Sequence, residues 1–293
     1  MRYVLENDTL RVEIDSFGAE LKSVKRKSDD KEYMWYADKK YWGRTSPVLF
    51  PFVGNCRNKE YRYGGKTYAM GQHGFARDME HTMESQTADT IWFSLHSNEE
   101  TMEKYPFAFV LKIGYNLTGN ELKVMWKVEN PDTKTLYFSI GAHPAFLCPF
   151  NGEENKLGYG LQFAGLKEVH HHGNTPDTGL AVMSEDIVIP LEDEKVYFTP
   201  GFFDRCTYMV EGKQTGEVSL VTPDGKPYVT MDFDAPLFAI WSPEGKDAPF
   251  VCIEPWYGRC DADDFEGTLE ERAYENAVEP EQAFEASYSI RYL

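Results

Sequence analysis

Positive charge is scarce in this chain. Thirty Lys and Arg face 48 Asp and Glu, a formal net charge of −18 over 293 residues. Phosphate-backbone binding rests on neutralisation by Lys and Arg, so nucleic acid is excluded as an expected partner, and an anionic membrane surface with it. Cysteines are few and odd in number: Cys56, Cys148, Cys206, Cys252 and Cys260, with no CxxC among them. That argues against a disulfide framework and against a zinc knuckle. No apolar run approaches the roughly 18–20 residues of a membrane span. The first residues, MRYVLENDTLRVEID, carry charge where a secretory leader needs an apolar stretch, so a soluble cytoplasmic protein is expected. Phosphate-cradling GxGxxG and GxxxxGK motifs are absent, as is the GxSxG nucleophile elbow, and nothing calls for a cofactor or a metal.

Helix signals are also sparse. NEETMEKYPF (98–107) holds one candidate turn of helix ending before Pro106. LEERAYENA (269–277) holds another, with Thr268 as a possible N-cap. Period-2 alternation, by contrast, is everywhere. TLRVEID places Leu10, Val12 and Ile14 on one face and Arg11, Glu13 and Asp15 on the other, the pattern of a strand with one wet face. TIWFSLHS, FVLKIGYNL and ELKVMWKVEN repeat it. LTGNE (117–121) reads as a hairpin turn between two of these runs, and PDGKP (223–227) as a turn before YVTMDF. Many strands without a βαβ rhythm predict an all-β protein, a large antiparallel sandwich or barrel with few short helices. No composition break, low-complexity segment or fixed-period repeat divides the chain, so residues 1–293 are expected to form a single domain.

Three segments carry residue types that chemistry uses. WGRTSPVLFPFVGNCRNKEYRYGGKTYAMGQHGFARD (42–78) gathers Arg44, Arg57, Arg62, Arg77 and His73. FSIGAHPAF (138–146) places His143 directly before a proline, which holds the histidine backbone extended. VCIEPWYGR (251–259) sets Glu254 in an apolar run, again before proline, with Trp256 and Tyr257 following. Each residue alone is better read as structural; together, at the ends of apolar runs, they mark a site built over a rigid sheet. EVHHHGNTPDTG (168–179) is a weaker cluster. Only His170 and His172 would share a face if it were a strand, and the Gly, Asn, Thr and Pro around them favour a solvated loop over a metal site.

In this order and at these spacings, GQHGFAR (71–77), HPAF (143–146) and EPW (254–256) resemble the aldose 1-epimerase (galactose mutarotase) superfamily. The bacterial subgroup associated with lactose genes is the branch most similar. The likeness runs from ENDTLRVEIDSFGAELKSV to EPEQAFEASYSIRYL, nearly the whole chain. It implies a large antiparallel β-sandwich with a sugar in a cleft across a sheet, and interconversion of α and β aldose anomers without a cofactor. Anomer inversion proceeds by ring opening, rotation about C1–C2 and reclosure. One proton must leave the C1 hydroxyl and one must reach the ring oxygen, so a base and an acid are needed on different supports. A carboxylate suits the base and a histidine the acid. Carried over by motif, the resemblance implies Glu254 as base, His143 as acid, and His73 as a group polarising the ring oxygen. Arg44 and Arg77 would bind sugar hydroxyls or an anionic substituent. Asp204 (in GFFDRC) is the weaker match to the family's sugar-binding aspartate, and Arg57 either takes the role of its sugar-binding arginine or is structural. Trp42, Phe75, Phe146 and Trp256 would offer aromatic faces to the C–H side of a sugar.

The expected partner is therefore a small sugar, an aldohexose or its 6-phosphate. The phosphate is suggested by the arginines between 44 and 77. A sensor that keeps the fold without catalysis is the alternative from another class. The expected assembly is a monomer or weak homodimer.

Overall fold

The computed structural model describes all 293 residues. Its architecture is a stack of antiparallel sheets. The largest has nine strands, in the spatial order Lys195–Tyr197, Gly160–Phe163, Glu217–Val221, Pro227–Phe233, Ala283–Tyr292, Glu121–Glu129, Val110–Thr118, Thr90–His96, Thr82–Gln86. An eight-stranded sheet runs Ala181–Pro190, Glu168–Asn174, Tyr208–Glu211, Leu237–Trp241, Phe250–Tyr257, Ile140–Ala142, Val48–Leu49, with Ala145–Leu147 also paired to Phe250–Tyr257. A four-stranded sheet at the N-terminus and two small hairpin-sized sheets complete it. No helix is long and apolar enough to cross a membrane.

The alternation read from the sequence is the alternation of burial. Leu10, Val12 and Ile14 are fully buried, while Arg11, Glu13 and Asp15 are half-buried on the other face. The two turns form as expected. Thr118 pairs with Glu121 across Gly119 and Asn120, and Glu217–Val221 pairs with Pro227–Phe233 across PDG. Asn98 caps a short helix, Glu99–Lys104, by accepting the Thr101 N–H at 2.9 Å. The second helix candidate shortens to a single 3₁₀ turn, Leu269–Glu271. Arg272 leaves helical geometry there because its guanidinium is drawn inward to Asp261 and Glu275. The expected loop at 168–179 is a correction: Glu168–Asn174 is a strand, and only the residues after it turn. Val169 and His171 are buried on one face and His170 and His172 lie on the other, so alternation outweighs the polar composition.

One strand decides where the site lies. Phe250–Tyr257 is buried on both faces, which explains its nearly unbroken apolar run. Val251 and Ile253 join the main core of sixty buried residues. Phe250 and Cys252 belong to one small cluster on the opposite face, with Trp35, Ala145 and Ala248; Trp256 belongs to another, with Leu49, Val53, Met209, Leu237, Ala239 and others. By alternation Glu254 falls between these two clusters, facing away from the main core.

Candidate active site

The register of the eight-stranded sheet brings a histidine to that carboxylate. Gly141 pairs with Trp256 and Ala145 with Cys252, so the intervening His143-Pro144 step crosses opposite Glu254. Proline ends the first short strand and restarts the chain as the second. His143 Nδ1 lies 3.3 Å from Glu254 Oε1. Gly141 is required by this packing: a Cβ there would sit 2.6 Å from the Trp256 ring.

A third group comes from GQHGFAR. Gly74 (φ 68°) lies against the main chain of Phe50, where a Cβ would come within 2.3 Å of the carbonyl oxygen. That carbonyl accepts the N–H groups of Phe75 and Ala76, so the turn is pinned to the sheet. His73 itself adopts φ 65°, a left-handed conformation that costs a non-glycine residue on the order of 1–2 kcal/mol. Its Nδ1 accepts the Gly54 N–H at 3.0 Å, so the neutral ring carries its proton on Nε2 and is a donor there. The His73 and His143 rings meet edge to face at 5.6 Å.

These groups line a cavity of about 410 Å³, within the ~300–1,000 Å³ range of small-molecule sites. Its walls include Trp42, Trp241 and Trp256, the Arg77 guanidinium, and a loop from Asn174 through Gly179. Trp42 stacks on His143 at 4.6 Å and Trp241 meets its edge at 5.2 Å. The loop that carries Trp42 is tied down: Glu20 accepts the Thr45 and Ser46 N–H groups at 2.7 and 2.9 Å, and the Trp42 carbonyl accepts from the Trp35 indole at 2.9 Å. Asn55 bridges the cavity's opposite wall by donating to the Thr178 carbonyl at 2.8 Å.

Burial governs the electrostatics. It pushes the Glu254 carboxyl well above the usual range, opposed in part by the Trp256 indole. It pushes His143 down to about 3, with the positive charges of Arg77 and Arg44 adding to the effect. His73 is driven well below its ordinary value for the same reasons, burial first. His143 Nδ1 and Glu254 Oε2 are both buried without an aligned hydrogen bond, as is Arg77 Nε. Buried polar atoms are normally paired, so these are poised for something else to meet them. One ring nitrogen of His143, the Cys252 thiol and a Glu254 oxygen also lie within 4.8 Å of one another, a set of donors able to hold a metal ion.

Of the residues singled out by motif, His73, His143, Glu254, Arg77, Trp42 and Trp256 converge on the cavity. The others lie elsewhere. Arg44 is bound to Asp78 at 2.8 Å and acts on the cavity only through its charge. Arg57 pairs with Glu266 in a separate groove. Asp204 is exposed and accepts the Gly245 N–H. Phe75 packs beside Tyr105 and Phe109, and Phe146 is wholly inside the main core. Not foreseen were Trp241, Glu244 and the Asn174–Gly179 loop. Trp241 ends the strand Leu237–Trp241, and its one local signal is the proline two residues on, in WSP (241–243).

A model of the aldose 1-epimerase family matches residues 1–261. The chain belongs to this family. Protein LacX of Lactococcus lactis subsp. lactis, the chromosomal form, is 30% identical over 300 residues and the match covers all of both chains. Among solved structures, a galactose mutarotase related enzyme from Lactobacillus acidophilus superposes with a TM-score of 0.94 at 37% identity, covering 100% of this chain and 97% of that one. A galactose mutarotase-like protein from Lactobacillus casei ATCC 334 gives 0.91 at 30% identity, with both chains fully covered. Family and fold thus agree with the resemblance in the three motifs, and the mutarotase-like β-sandwich is the architecture of this chain.

Proposed function

We propose that this member of the aldose 1-epimerase family is a mutarotase that interconverts the α and β anomers of a free aldohexose by acid–base ring opening. One observation carries the reading: a carboxylate and an imidazole 3.3 Å apart, both buried, at the floor of a cavity of sugar-binding size. The anomeric hydroxyl and the ring oxygen are both bonded to C1, so the two groups that serve them must lie close together.

Glu254 takes the proton from the C1 hydroxyl. The C1–ring oxygen bond breaks, its electron pair goes to the oxygen, and that oxygen takes the proton from the His143 imidazolium. The product is an open aldehyde. Rotation about C1–C2 presents the other face of the carbonyl. On reclosure the hydroxyl returns its proton to His143 as Glu254 returns one to the new C1 hydroxyl. Burial favours the neutral pair at rest, so the carboxylate–imidazolium pair that opens the ring forms by proton transfer from Glu254 to His143 across 3.3 Å, and ring opening returns it to two neutral groups. The pair holds one proton throughout and nothing is consumed. His73 donates its Nε2 proton to the ring oxygen or a neighbouring hydroxyl without titrating, since its Nδ1 is occupied by Gly54. Trp42 and Trp241 frame His143 and offer faces to the sugar's C–H side.

Arg77 supports a second reading, a hexose 6-phosphate as substrate, because it lines the cavity and its buried Nε makes no hydrogen bond, only a 3.7 Å ion contact with Asp78. Asp177 and Glu244 line the same cavity and oppose a dianion, which favours the uncharged sugar.

Polarimetry of freshly dissolved α-D-glucose and α-D-galactose tests the proposal. Wild-type protein accelerates the decay to equilibrium, and Glu254→Gln loses roughly 10²–10⁴-fold of that acceleration, the usual worth of positioned acid–base catalysis. Acceleration only with a 6-phosphate selects the second reading. Sugar binding without acceleration makes the protein a sensor and removes both.

A further inference from the structure

Cys252 is used by neither the fold's main core nor the proposed proton transfers. It lies two residues before Glu254 on the same strand face and is fully buried. Strand register also sets it beside the chain that carries His143, through its pairing with Ala145. Its thiol, a His143 nitrogen and a Glu254 oxygen lie within 4.8 Å of one another. Two of these three side chains hold buried polar atoms that nothing in the protein satisfies.

We propose that His143, Cys252 and Glu254 form a binding site for a soft divalent cation such as Zn²⁺, which occupies the acid–base pair and blocks turnover. Thiolate, imidazole and carboxylate are the three donor types that zinc takes, and a site with three protein ligands leaves a fourth position open. Bonds of about 2.0–2.3 Å put tetrahedral ligands of this set roughly 3.3–3.6 Å apart. The His143–Glu254 separation of 3.3 Å already meets this, and the Cys252 thiol lies within 4.8 Å of both donors. The fourth position faces the cavity, since His143 and Glu254 both line it.

Charge favours this metal here. Zn²⁺ with one thiolate, one carboxylate and one neutral imidazole is electrically neutral, the form a buried site tolerates. Arg77 and Arg44 beside His143, and Lys156 beside Cys252, are the cations facing the group; the second ionisable ring beside it is His73. Binding expels two protons: the one on the thiol and the one held by the Glu254–His143 pair. With that second proton gone, no acid remains for ring opening. The inhibition half of the inference rests on the proposed mutarotase reading; the binding half does not.

The test uses the intact protein with metal salts alone. On titration with Co²⁺, wild type is expected to take up one ion with a sulfur-to-cobalt charge-transfer band, and Cys252→Ala to show no such band. Zn²⁺ is expected to abolish mutarotation reversibly, with turnover restored by a chelator, and Mg²⁺ to have no effect. At least tenfold more Zn²⁺ is required in Cys252→Ala. Cys252→Ser serves as the second variant if the alanine protein does not fold. A wild-type protein without a thiolate–cobalt band overturns the site, and Zn²⁺ inhibition unchanged in the cysteine variants overturns the cysteine's part in it. A thiolate–cobalt band in a protein without mutarotase activity upholds the site and instead sinks the proposed function.

Discussion

Two groups of buried ionisable side chains lie at either end of the strand Phe250–Tyr257 and its continuation, and they are built on opposite principles. At the cavity floor, Glu254 and His143 are buried with atoms left unpaired. Beyond the strand's end, Arg272 is about as deeply buried and nearly saturated. It donates to Asp261 at 2.7 Å, to Glu275 at 3.0 Å, to Ser139 at 3.2 Å and to the Arg259 carbonyl at 2.9 Å, and its guanidinium lies over the Phe52 ring at 4.7 Å. Asp261 in turn accepts the Arg57 N–H, while its own backbone N–H donates to Asn55 and its carbonyl accepts from Ala181. This network therefore ties together the segments leading to His143, to Glu254 and to the Gly54 amide that orients His73. The difference shows where satisfaction is needed. The supporting network is saturated at Arg272, with Glu275 Oε1 left unpaired at its edge, whereas Glu254 and His143 are both left open.

The comparison breaks first at Arg272. Arg272→Met strands Asp261 and Glu275 and is expected to cost about 3–5 kcal/mol of stability, read as a lowered denaturant midpoint. A loss under 1 kcal/mol would show that the network does not hold this wall.

Next comes pH. One guanidinium neutralises one carboxylate, Asp261, and burial pushes the Glu275 carboxyl up to about 7. The folded state then binds more protons than the unfolded state between about pH 4.5 and 7, so Glu275 makes stability fall as pH rises through that window. The amount is on the order of 3 kcal/mol. Glu275→Gln is expected to flatten this part of the stability profile; an unchanged slope would assign the titration elsewhere.

A smaller effect lies in the cavity. His73→Asn keeps a residue that tolerates positive φ but loses the Nε2 donor. Turnover is expected to fall about tenfold to a hundredfold, with the thermal midpoint nearly unchanged, since one hydrogen bond is removed. A loss as large as that of Glu254→Gln would move the acid role from His143 to His73. The smallest effect has the opposite sign. Glu254→Gln removes an unsatisfied buried carboxyl, so it is expected to gain about 0.5–2 kcal/mol in stability while losing activity. A destabilised variant would mean the carboxylate is better satisfied than its geometry indicates.

Much of this was legible in the sequence because it is local. Alternation, hairpin turns and the short helix before Pro106 depend on neighbours a few residues away, and they formed as read. The candidate site residues that converge, His73, His143, Glu254 and Arg77, sit in short motifs where glycine or proline fixes the backbone. What failed was judged on composition without partners. HHHGN (170–174) looked like loop, yet pairing with Ala181–Pro190 made it a strand. LEERAYENA looked helical, yet the buried pull on Arg272 stopped it after one turn. Arg57 and Phe75 shared segments with cavity residues but point to other surroundings, because both sit in tight turns whose successive side chains diverge, and Asp204 belongs to a segment, GFFDRC, that does not reach the cavity.

The sequence by itself determined the all-β class, the family and the three segments that would carry any chemistry, since each is written in local spacing. Only the tertiary structure decided that His143 faces Glu254 at 3.3 Å, that His73 is locked as an Nε2 donor, and that Trp241 and the loop after Asn174 close the cavity. The physical reason is register. A strand pairing joins residues more than a hundred positions apart, and a slip of one residue would turn Glu254 from the cavity into the core.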